Sequence, residues 1–407
     1  MINYICDILW IVISLMLIIF GIYFSFKLSM IQFNIKKIFK SLFNDINSFS
    51  GLMLSLGGRV GVGSIAGVAL AIYIGGLGSL FWLFVTSIIS MPLVYAEVYL
   101  GLKYRKNEYV GPVNYISNKN MGIIYSLIIM LCYIFGFISI QANTITLAIA
   151  KSINISTYII GAFLSFIILI IIISGTKMIS KILNKIVPFM GILYIFIGFY
   201  VFIKNINIIP NIFRLVIIDA FNFKSFIVGF FSKMLIGIRR GIFASEIGIG
   251  TSSMSCNVNS IDTKGYGYVQ LLGVYITTFL ICGSSAIIII TSNYGSLNII
   301  DPNGIEIALN AFVYHFGNMG NNVLIIFILL FAFSTILSNY YYGDVSIRYI
   351  FGDDTYIYFL KIITLMIIFL GSINSASMLW KTVDIFIGIL IIINISAIWK
   401  KRYKIKT

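Results

Sequence analysis

The sequence predicts an all-α membrane protein with about 11 transmembrane helices. Of its 407 residues, 60% are hydrophobic and only 10% are charged, whereas a soluble domain carries about 25% charged residues. Its apolar segments are continuous, as in Tyr158–Ile173 and Val323–Phe333, whereas the strands of a membrane barrel alternate apolar and polar residues. Because lipid offers no hydrogen-bond partner to the backbone, continuous apolar segments form helices.

The individual helices are predicted from apolar runs of about 20 residues, the length that crosses the hydrocarbon layer. The first run lacks a basic N-terminal region and a small-residue cleavage site, so we interpret it as a retained helix rather than a signal peptide. The predicted spans are 8–26, 50–76, 78–101, 122–149, 155–174, 184–203, 225–250, 268–292, 321–345, 355–371 and 381–399.

Basic residues predict the orientation of these helices because Lys and Arg collect on the cytoplasmic side of a membrane. Basic residues follow every odd-numbered span, whereas the loop 293–320 contains Asp301 and Glu306 but no Lys or Arg. We therefore expect an inner (plasma) membrane protein with its N-terminus outside and its C-terminus in the cytoplasm. The region 204–224 and the residues Lys151 and Lys381 are exceptions. The residues that set the orientation are Lys27, Lys36, Lys37, Lys40, Lys103, Arg105, Lys106, Lys119, Lys177, Lys181, Lys185, Lys264, Arg348, Lys400, Lys401, Arg402, Lys404 and Lys406.

The spans that follow the first helix divide into two sets of five. Because five is odd, the second set enters the membrane from the opposite side, which is the topology of the inverted repeats of many secondary transporters. The predicted organisation is an extra helix with a basic cytoplasmic loop over 1–45, a first five-helix repeat over 46–204, and a second repeat with a basic tail over 205–407.

Composition also excludes several kinds of protein. The net charge of +15 follows from basic loops beside hydrophobic helices, so nucleic-acid binding is not expected. The four cysteines are scattered without metal-site spacing, and His315 is the single histidine of the chain. Neither H-E-x-x-H nor G-x-S-x-G occurs, so the sequence predicts no enzyme and no bound cofactor.

Two glycine-interrupted segments, Gly57–Gly67 and Gly237–Thr251, are the first helices of the two sets. Paired interruptions at corresponding positions point to a transporter binding site. A broken helix presents free N–H groups that attract a carboxylate and free C=O groups that suit Na⁺ or an ammonium group. The alternative is that these glycines only allow close packing between helices.

Charged residues inside predicted spans need partners or a function, and six of them are candidates for such a role. Arg59 and Glu246 lie beside the two helix interruptions, whereas Glu97 and Asp344 could form gate salt bridges or lie at the membrane interface. The pair Ser334-Thr335 could bond to its own helix backbone or complete an oxygen cage for a cation. The six charged residues are Arg59, Glu97, Arg240, Glu246, Asp344 and Asp384.

Several motifs resemble those of the alanine-or-glycine:cation symporter family. Arg59–Ala69 resembles the family signature R-V-G-T-G-N-I-A-G-V-A, and Arg240–Gly250 resembles R-G-L-F-S-N-E-A-G-M-G. Phe331–Leu337 with Tyr340–Asp344 resembles F-A-F-S-T-I-L-G-W-Y-Y-Y-G-E. The matches run in order from about residue 46 to the end. The remaining ones are Ala96-Glu97 with Lys103–Arg105, Gly111–Ile116, Gln141–Thr144, Val187–Met190, and Trp380 with Asp384–Phe386.

The resemblance implies a leucine-transporter-like 5+5 inverted repeat with one extra N-terminal helix, and an amino acid bound at mid-membrane between the two broken helices. The carboxylate of the amino acid would meet N–H groups near the first interruption. The resemblance implies that the substrate-binding residues are Gly61, Val62, Gly63, Ser64, Gln141, Thr335 and Asn339. It implies that the sodium-binding residues are Gly57, Val60, Ser334 and Thr335.

The chain departs from the family pattern at three positions. Ser64 replaces an Asn and is a shorter ligand, and Thr277 replaces an Asp, so one intramembrane charge is lost. Asn339 replaces a Trp, which leaves more room in the pocket and adds hydrogen-bond donors.

The function implied is sodium-coupled uptake of a small neutral amino acid such as alanine or glycine, by a monomer in the lipid bilayer. The departures leave three alternatives: a substrate such as glutamine or serine, proton coupling, or a degenerate protein that does not transport.

Overall fold

The computed structural model describes residues 2–43, 46–106, 109–222, 229–256, 262–292, 304–352, 355–374 and 377–406. The regular elements within these ranges are helices, and the β-structure there amounts to an isolated bridge between Lys106 and Tyr109. The all-α prediction is therefore confirmed for the described residues. The α-helices are α1 (Ile2–Lys27), α2 (Ile35–Leu42), α3 (Ile46–Arg59), α4 (Ala66–Gly75), α5 (Gly78–Lys103), α6 (Lys119–Ile129), α7 (Ile138–Ile153), α8 (Thr157–Ile173), α9 (Thr176–Lys204), α10 (Ile209–Ala220), α11 (Phe231–Ser245), α12 (Thr251–Met254), α13 (Thr263–Val274), α14 (Gly283–Ile290), α15 (Gly304–Phe316), α16 (Met319–Phe351), α17 (Thr355–Ile373) and α18 (Ser377–Lys400).

Two long helices contain a stretch of π-helix. Met130–Phe137 joins α6 to α7, and Tyr275–Cys282 joins α13 to α14. Each pair therefore runs as one continuous apolar helix rather than as two. Such π-helical stretches are frequent at functional sites because they re-aim the side chains that follow them.

Within the described residues, eight helices are long and apolar enough to cross a membrane, and a bent pair would make a ninth. The bent pair is α3 with α4, which matches the predicted interruption in span 50–76. The predicted spans 155–174 and 225–250 correspond to α8, with 17 residues, and to α11, with 15. The eight are α1, α5, α6–α7, α9, α13–α14, α16, α17 and α18.

Three further helices of eight or more residues lie where the sequence predicted only connecting segments. These are α2, α10 and α15, with 8, 12 and 13 residues. All three are too short to span a bilayer, so a search for long apolar runs does not find them. Pro210 is the second residue of α10, a position in the first helical turn that suits a proline. Of the connecting segments named above, Asp301 and the last two residues of the region 204–224 lie outside the described residues.

The long helices pack around the bent pair. Helix α5 contacts α1, α11 and α13, and the backbone of Gly237 in α11 approaches Ser79 of α5 so closely that no side chain would fit. Small residues of this kind let membrane helices pack backbone to backbone. Helix α16 packs against α3, α7, α9 and α15. The bent pair therefore lies between α16 on one side and the α5–α11 pair on the other.

Candidate functional site

The first interruption separates α3 from α4, whose axes differ by 66°. Gly61 is extended, and a 3-10 turn over Val62–Ser64 leads into α4. Two side chains stabilise the break: the Ser64 hydroxyl donates to the Arg59 carbonyl at 3.1 Å, and the Gln141 Oε1 accepts from the Val62 N–H at 3.3 Å. The predicted interruption within Gly57–Gly67 is confirmed, and it exposes backbone groups that the helix would otherwise use.

Helix α16 touches this break through Thr335. The Thr335 hydroxyl lies 2.9 Å from the Gly57 carbonyl and 2.9 Å from the Phe331 carbonyl of its own helix. A Cβ atom at Gly61 would lie 2.6 Å from Thr335 Oγ1 and 3.4 Å from Gln141 Nε2. Gly61 is therefore required by the close approach of two side chains, and the break, α7 and α16 meet at one point.

Ser334 faces a different neighbour. Its hydroxyl donates to the Phe331 carbonyl at 2.9 Å and lies 3.6 Å from the Met190 sulfur of α9. In this conformation Ser334 bonds to its own helix backbone, as buried Ser residues of membrane helices commonly do. The structure therefore brings Thr335, but not the Ser334 hydroxyl, into hydrogen-bond contact with the break.

Asn339 lies one helical turn beyond Thr335 on α16. Its side chain is fully buried, and neither Oδ1 nor Nδ2 has a hydrogen-bond partner among the described residues. A buried polar group left without a partner costs about 1–3 kcal/mol, and an amide that makes none of its hydrogen bonds is rare in a folded protein. Asn339 thus carries both a donor and an acceptor one helical turn from Thr335.

The second interruption follows α11. Glu246 adopts a left-handed conformation with φ of 55°, and Gly250 has φ of 112°, which disfavours any residue with a side chain. The break therefore lies at 246–250, whereas Gly237 and Gly241 stay within α11. Two carbonyls of this turn accept hydrogen bonds from side chains of other helices. The Ile249 carbonyl accepts from the Tyr125 hydroxyl, and the Gly248 carbonyl accepts from Asn394 Nδ2, both at 2.8 Å.

A buried polar network joins the two interruptions. Arg59, at the end of α3, donates to the Ser252 hydroxyl at 2.7 Å and lies 3.4 Å from the Gln270 carbonyl. It interacts electrostatically with both Glu97 and Glu246. All three charged side chains are fully buried, which favours an internal role for Glu97 over the interfacial one.

Asn394 of α18 completes this network. Its Nδ2 donates to Glu97 at 3.0 Å as well as to Gly248, and its Oδ1 accepts from the Tyr115 hydroxyl at 2.5 Å. Glu246 accepts from the Thr251 hydroxyl at 2.8 Å. Buried charges in a membrane protein need such partners, and here the partners come from α12, α13 and α18. The network is only partly satisfied, because Arg59 Nε, Glu97 Oε1 and Glu246 Oε1 have no hydrogen-bond partner among the described residues.

The other three charged residues of this set also have partners. Arg240 of α11 forms a buried salt bridge to Asp384 of α18 at 2.5 Å, and its guanidinium lies over the Phe243 and Trp380 rings. The Phe243 ring occupies the space in which a side chain at Gly63 would lie. Asp344 pairs with Arg348 one turn along α16 at 2.9 Å. Sequence reasoning did not place Phe243 at the first break, although its motif was recognised.

The oxygen atoms at the first break are carbonyls and hydroxyls, the ligand type that hard cations prefer. No group of three or more His, Cys, Asp or Glu side chains that could hold a metal ion occurs in the described part of the chain. Thr277, which replaces an acidic residue of the resembled pattern, donates to the Gly273 carbonyl at 2.9 Å and carries no charge itself.

Comparison with known proteins decides the class of transporter. A family model described as the sodium:alanine symporter family matches residues 1–402. The chain belongs to this family. The resemblance drawn from the motifs is therefore confirmed, and so is the expectation that the protein is no enzyme: members of the sodium:alanine symporter family are transporters that move an amino acid with sodium as the co-transported cation.

Relatives in the sodium:alanine symporter family differ in the substrate that their names give. The chain is 31% identical to the Probable sodium/glutamine symporter GlnT of Bacillus subtilis, over 97% of this chain and 86% of that protein. It is 29% identical to the Amino-acid carrier protein AlsT of the same organism, over 98% and 88%. It is 28% identical to the Sodium/alanine symporter AgcS of Methanococcus maripaludis, over 86% and 81%.

Proposed function

We propose that this protein takes up a small neutral amino acid together with Na⁺ through a leucine-transporter-like 5+5 inverted repeat of about 11 spans. The observation that carries the proposal is the meeting of α7 and α16 at the first break, where Gln141 contacts the Val62 N–H and Thr335 contacts the Gly57 carbonyl. Both backbone groups can bond to side chains because the break removes their partners within the helix.

The two breaks support the repeat. Helices α3–α4 open the first set of five spans and α11–α12 open the second, so the interruptions take corresponding positions. Among the described residues, eight long helices and the bent pair make nine spans. In this proposal the shorter helices α8 and α11 are the other two. We place the N-terminus outside and the C-terminus in the cytoplasm of a bacterial or archaeal inner membrane, and we propose a monomer.

The substrate carboxylate is placed at the start of the 3-10 turn, against the N–H groups of Gly61, Val62, Gly63 and Ser64. These groups lie at the positive end of the half-helix that begins with the turn and α4, where an anion is favoured. In the structure the Gln141 Oε1 accepts a hydrogen bond from the Val62 N–H. Binding would therefore exchange one acceptor for another and turn Gln141 toward the substrate.

Sodium is placed between the carbonyls of Gly57 and Val60 and the hydroxyls of Ser334 and Thr335. Thr335 Oγ1 and the Gly57 carbonyl oxygen are 2.9 Å apart, so two of the four oxygen atoms already face each other. Ser334 would reach the ion by rotating away from the Phe331 carbonyl. Occupation of both sites stabilises the occluded state, and rocking of one helix set against the other exposes the site to each side in turn.

The unpartnered amide of Asn339 favours glutamine or serine as a second candidate substrate. A polar substrate side chain could satisfy both amide atoms, whereas alanine or glycine would leave them unpaired at a cost of about 1–3 kcal/mol. One relative at 31% identity is named as a sodium/glutamine symporter.

The test is uptake of a panel of radiolabelled amino acids into proteoliposomes, with an inward Na⁺ gradient compared with a K⁺ control. Accumulation of one or a few neutral amino acids that Na⁺ stimulates is the expected result. Uptake driven by a proton gradient alone would replace sodium by proton coupling. Folded protein that accumulates nothing under either gradient would contradict the proposed function.

A further inference from the structure

A cavity of about 300 Å³ lies between α7, α15 and α16, away from the first break. Its volume is at the lower end of the range of roughly 300–1,000 Å³ that is typical of small-ligand sites. Most of its wall is apolar, and the polar groups at its edge are Thr144, Glu306 and Asn321. None of these residues belongs to the substrate or sodium site proposed above.

The cavity is aligned with that site along two helices. Thr144 and Ala148 follow Gln141 by three and seven positions on α7, and Ile328 precedes Thr335 by seven positions on α16. Residues at these spacings share one face of a helix. With a rise of 1.5 Å per residue, the cavity lies about 5–10 Å beyond the site, toward the side on which α15 lies.

Helix α15 contacts both the cavity and α4, the helix that follows the break. Gly304, its first residue, packs so tightly on the Ala66 carbonyl and the Leu70 side chain of α4 that a Cβ atom would not fit. Further along the same helix, Glu306 and Leu309 line the cavity. Helix α15 therefore packs against the residues that follow the break and also forms part of the cavity wall.

We propose that this cavity is an outer binding site that holds the transported amino acid before α15 yields and admits it to the central site. The inference rests on the proposed function and topology. Glu306 is exposed and carries the negative charge that the substrate ammonium group requires. The apolar wall formed by Ala148, Leu309 and Ile328 accommodates the side chain of a neutral amino acid.

Such a site affects the half-saturation concentration for uptake, because it captures the substrate. It does not affect the maximal rate of the transport cycle. Removing the Glu306 charge is expected to raise the half-saturation concentration for uptake by about two- to fivefold, the size expected for an exposed charge. The maximal rate at saturating substrate stays unchanged, because the central site is intact. Added salt reduces the difference between variant and wild type, since exposed charges are screened.

The experiment compares Glu306→Gln, Glu306→Asp and Ala148→Trp with the wild type in proteoliposomes. The probes are radiolabelled L-alanine and L-glutamine, whichever the wild type accumulates. Glu306→Asp should restore wild-type half-saturation, and Ala148→Trp, which fills the cavity, should raise it as Glu306→Gln does. The matched control is Ile326→Trp, because Ile326 lies beside the cavity-lining Ile325 and is 51% exposed outside it.

The outcomes separate this inference from the proposed function. A wild type that does not transport contradicts the proposed function itself. A transporting wild type whose Glu306→Gln variant keeps its half-saturation within twofold overturns the outer site. A fall in maximal rate at unchanged half-saturation also overturns it, since that result would assign Glu306 to the motion of α15.

Discussion

Thr335 is the residue at which the proposed ion site and the broken helix meet. Its hydroxyl already contacts the Gly57 carbonyl, so removing it together with the neighbouring Ser334 hydroxyl takes two of four proposed sodium ligands. Ser334→Ala combined with Thr335→Ala is expected to weaken Na⁺-dependent binding at least tenfold, because contacts to a charge are worth roughly 1.5–3 kcal/mol each. The measurement is substrate binding to the detergent-solubilised protein as a function of Na⁺ concentration.

The control for this pair is Thr335→Ser, which keeps the hydroxyl and should keep the Na⁺ dependence. Size-exclusion chromatography shows whether the double variant is folded. If a folded double variant binds with unchanged Na⁺ dependence, the ion site is not at these hydroxyls.

Asn339 is predicted to set the range of substrates. Asn339→Trp should narrow uptake toward alanine and glycine, because a bulky indole fills the space beside the break. Asn339→Leu should raise the melting temperature, since it removes a fully buried amide without partners, and should lower uptake of polar substrates. Competition of unlabelled amino acids against the labelled substrate measures the change in substrate preference of each variant. An unaltered order of preference would place Asn339 outside the pocket.

At the scale of helical elements, the sequence predicted the long spans and both breaks, because apolar length and clustered glycines are local signals. It missed α2, α10 and α15, which are short. It also placed no partner beside the charged residues, since pairs such as Arg59–Ser252 are separated by 193 positions. The residues gathered at the first break were predicted through the family motifs, whereas only the structure revealed that the Asn339 amide has no hydrogen-bond partner among the described residues.

The first break depends on the absence of a side chain at Gly61. Gly61→Ala places a methyl group 2.6 Å from Thr335 Oγ1, so α16 must move away, at a cost of about 1–3 kcal/mol for overpacking. Loss of Na⁺-dependent binding and a lower melting temperature are expected. The matched control is Gly191→Ala in α9, where a Cβ meets nothing within 4 Å. There the helix should gain about 0.5–1 kcal/mol, and binding should not change.

Equal effects of these two glycine substitutions on binding would mean that close packing at Gly61 has no part in function. Circular dichroism of both variants at increasing temperature supplies the melting temperatures.

At the scale of the whole molecule, the two breaks are parts of one buried network. Arg59 at the first break bonds to Ser252 just after the second, and Asn394 connects Glu97 of α5 to the Gly248 carbonyl. Because a partly satisfied buried network is costly, we expect the hydrogen bonds of this network to form or break together. A structural change at one break should therefore alter the other break. Such coupling suits a transporter that exposes its site to each side of the membrane in turn.

The orientation of the whole chain can be tested because its four cysteines are free and buried. A thiol introduced at an exposed position should therefore react with a membrane-impermeant maleimide far faster than the native ones. Ser156→Cys lies between α7 and α8, and Tyr403→Cys lies in the tail after α18, where Tyr403 is 73% exposed. With the N-terminus outside, Ser156→Cys should be labelled in intact cells and Tyr403→Cys only after the membrane is opened. The unmodified protein is the control, and the opposite pattern would invert the topology and place α15 with its cavity on the cytoplasmic side.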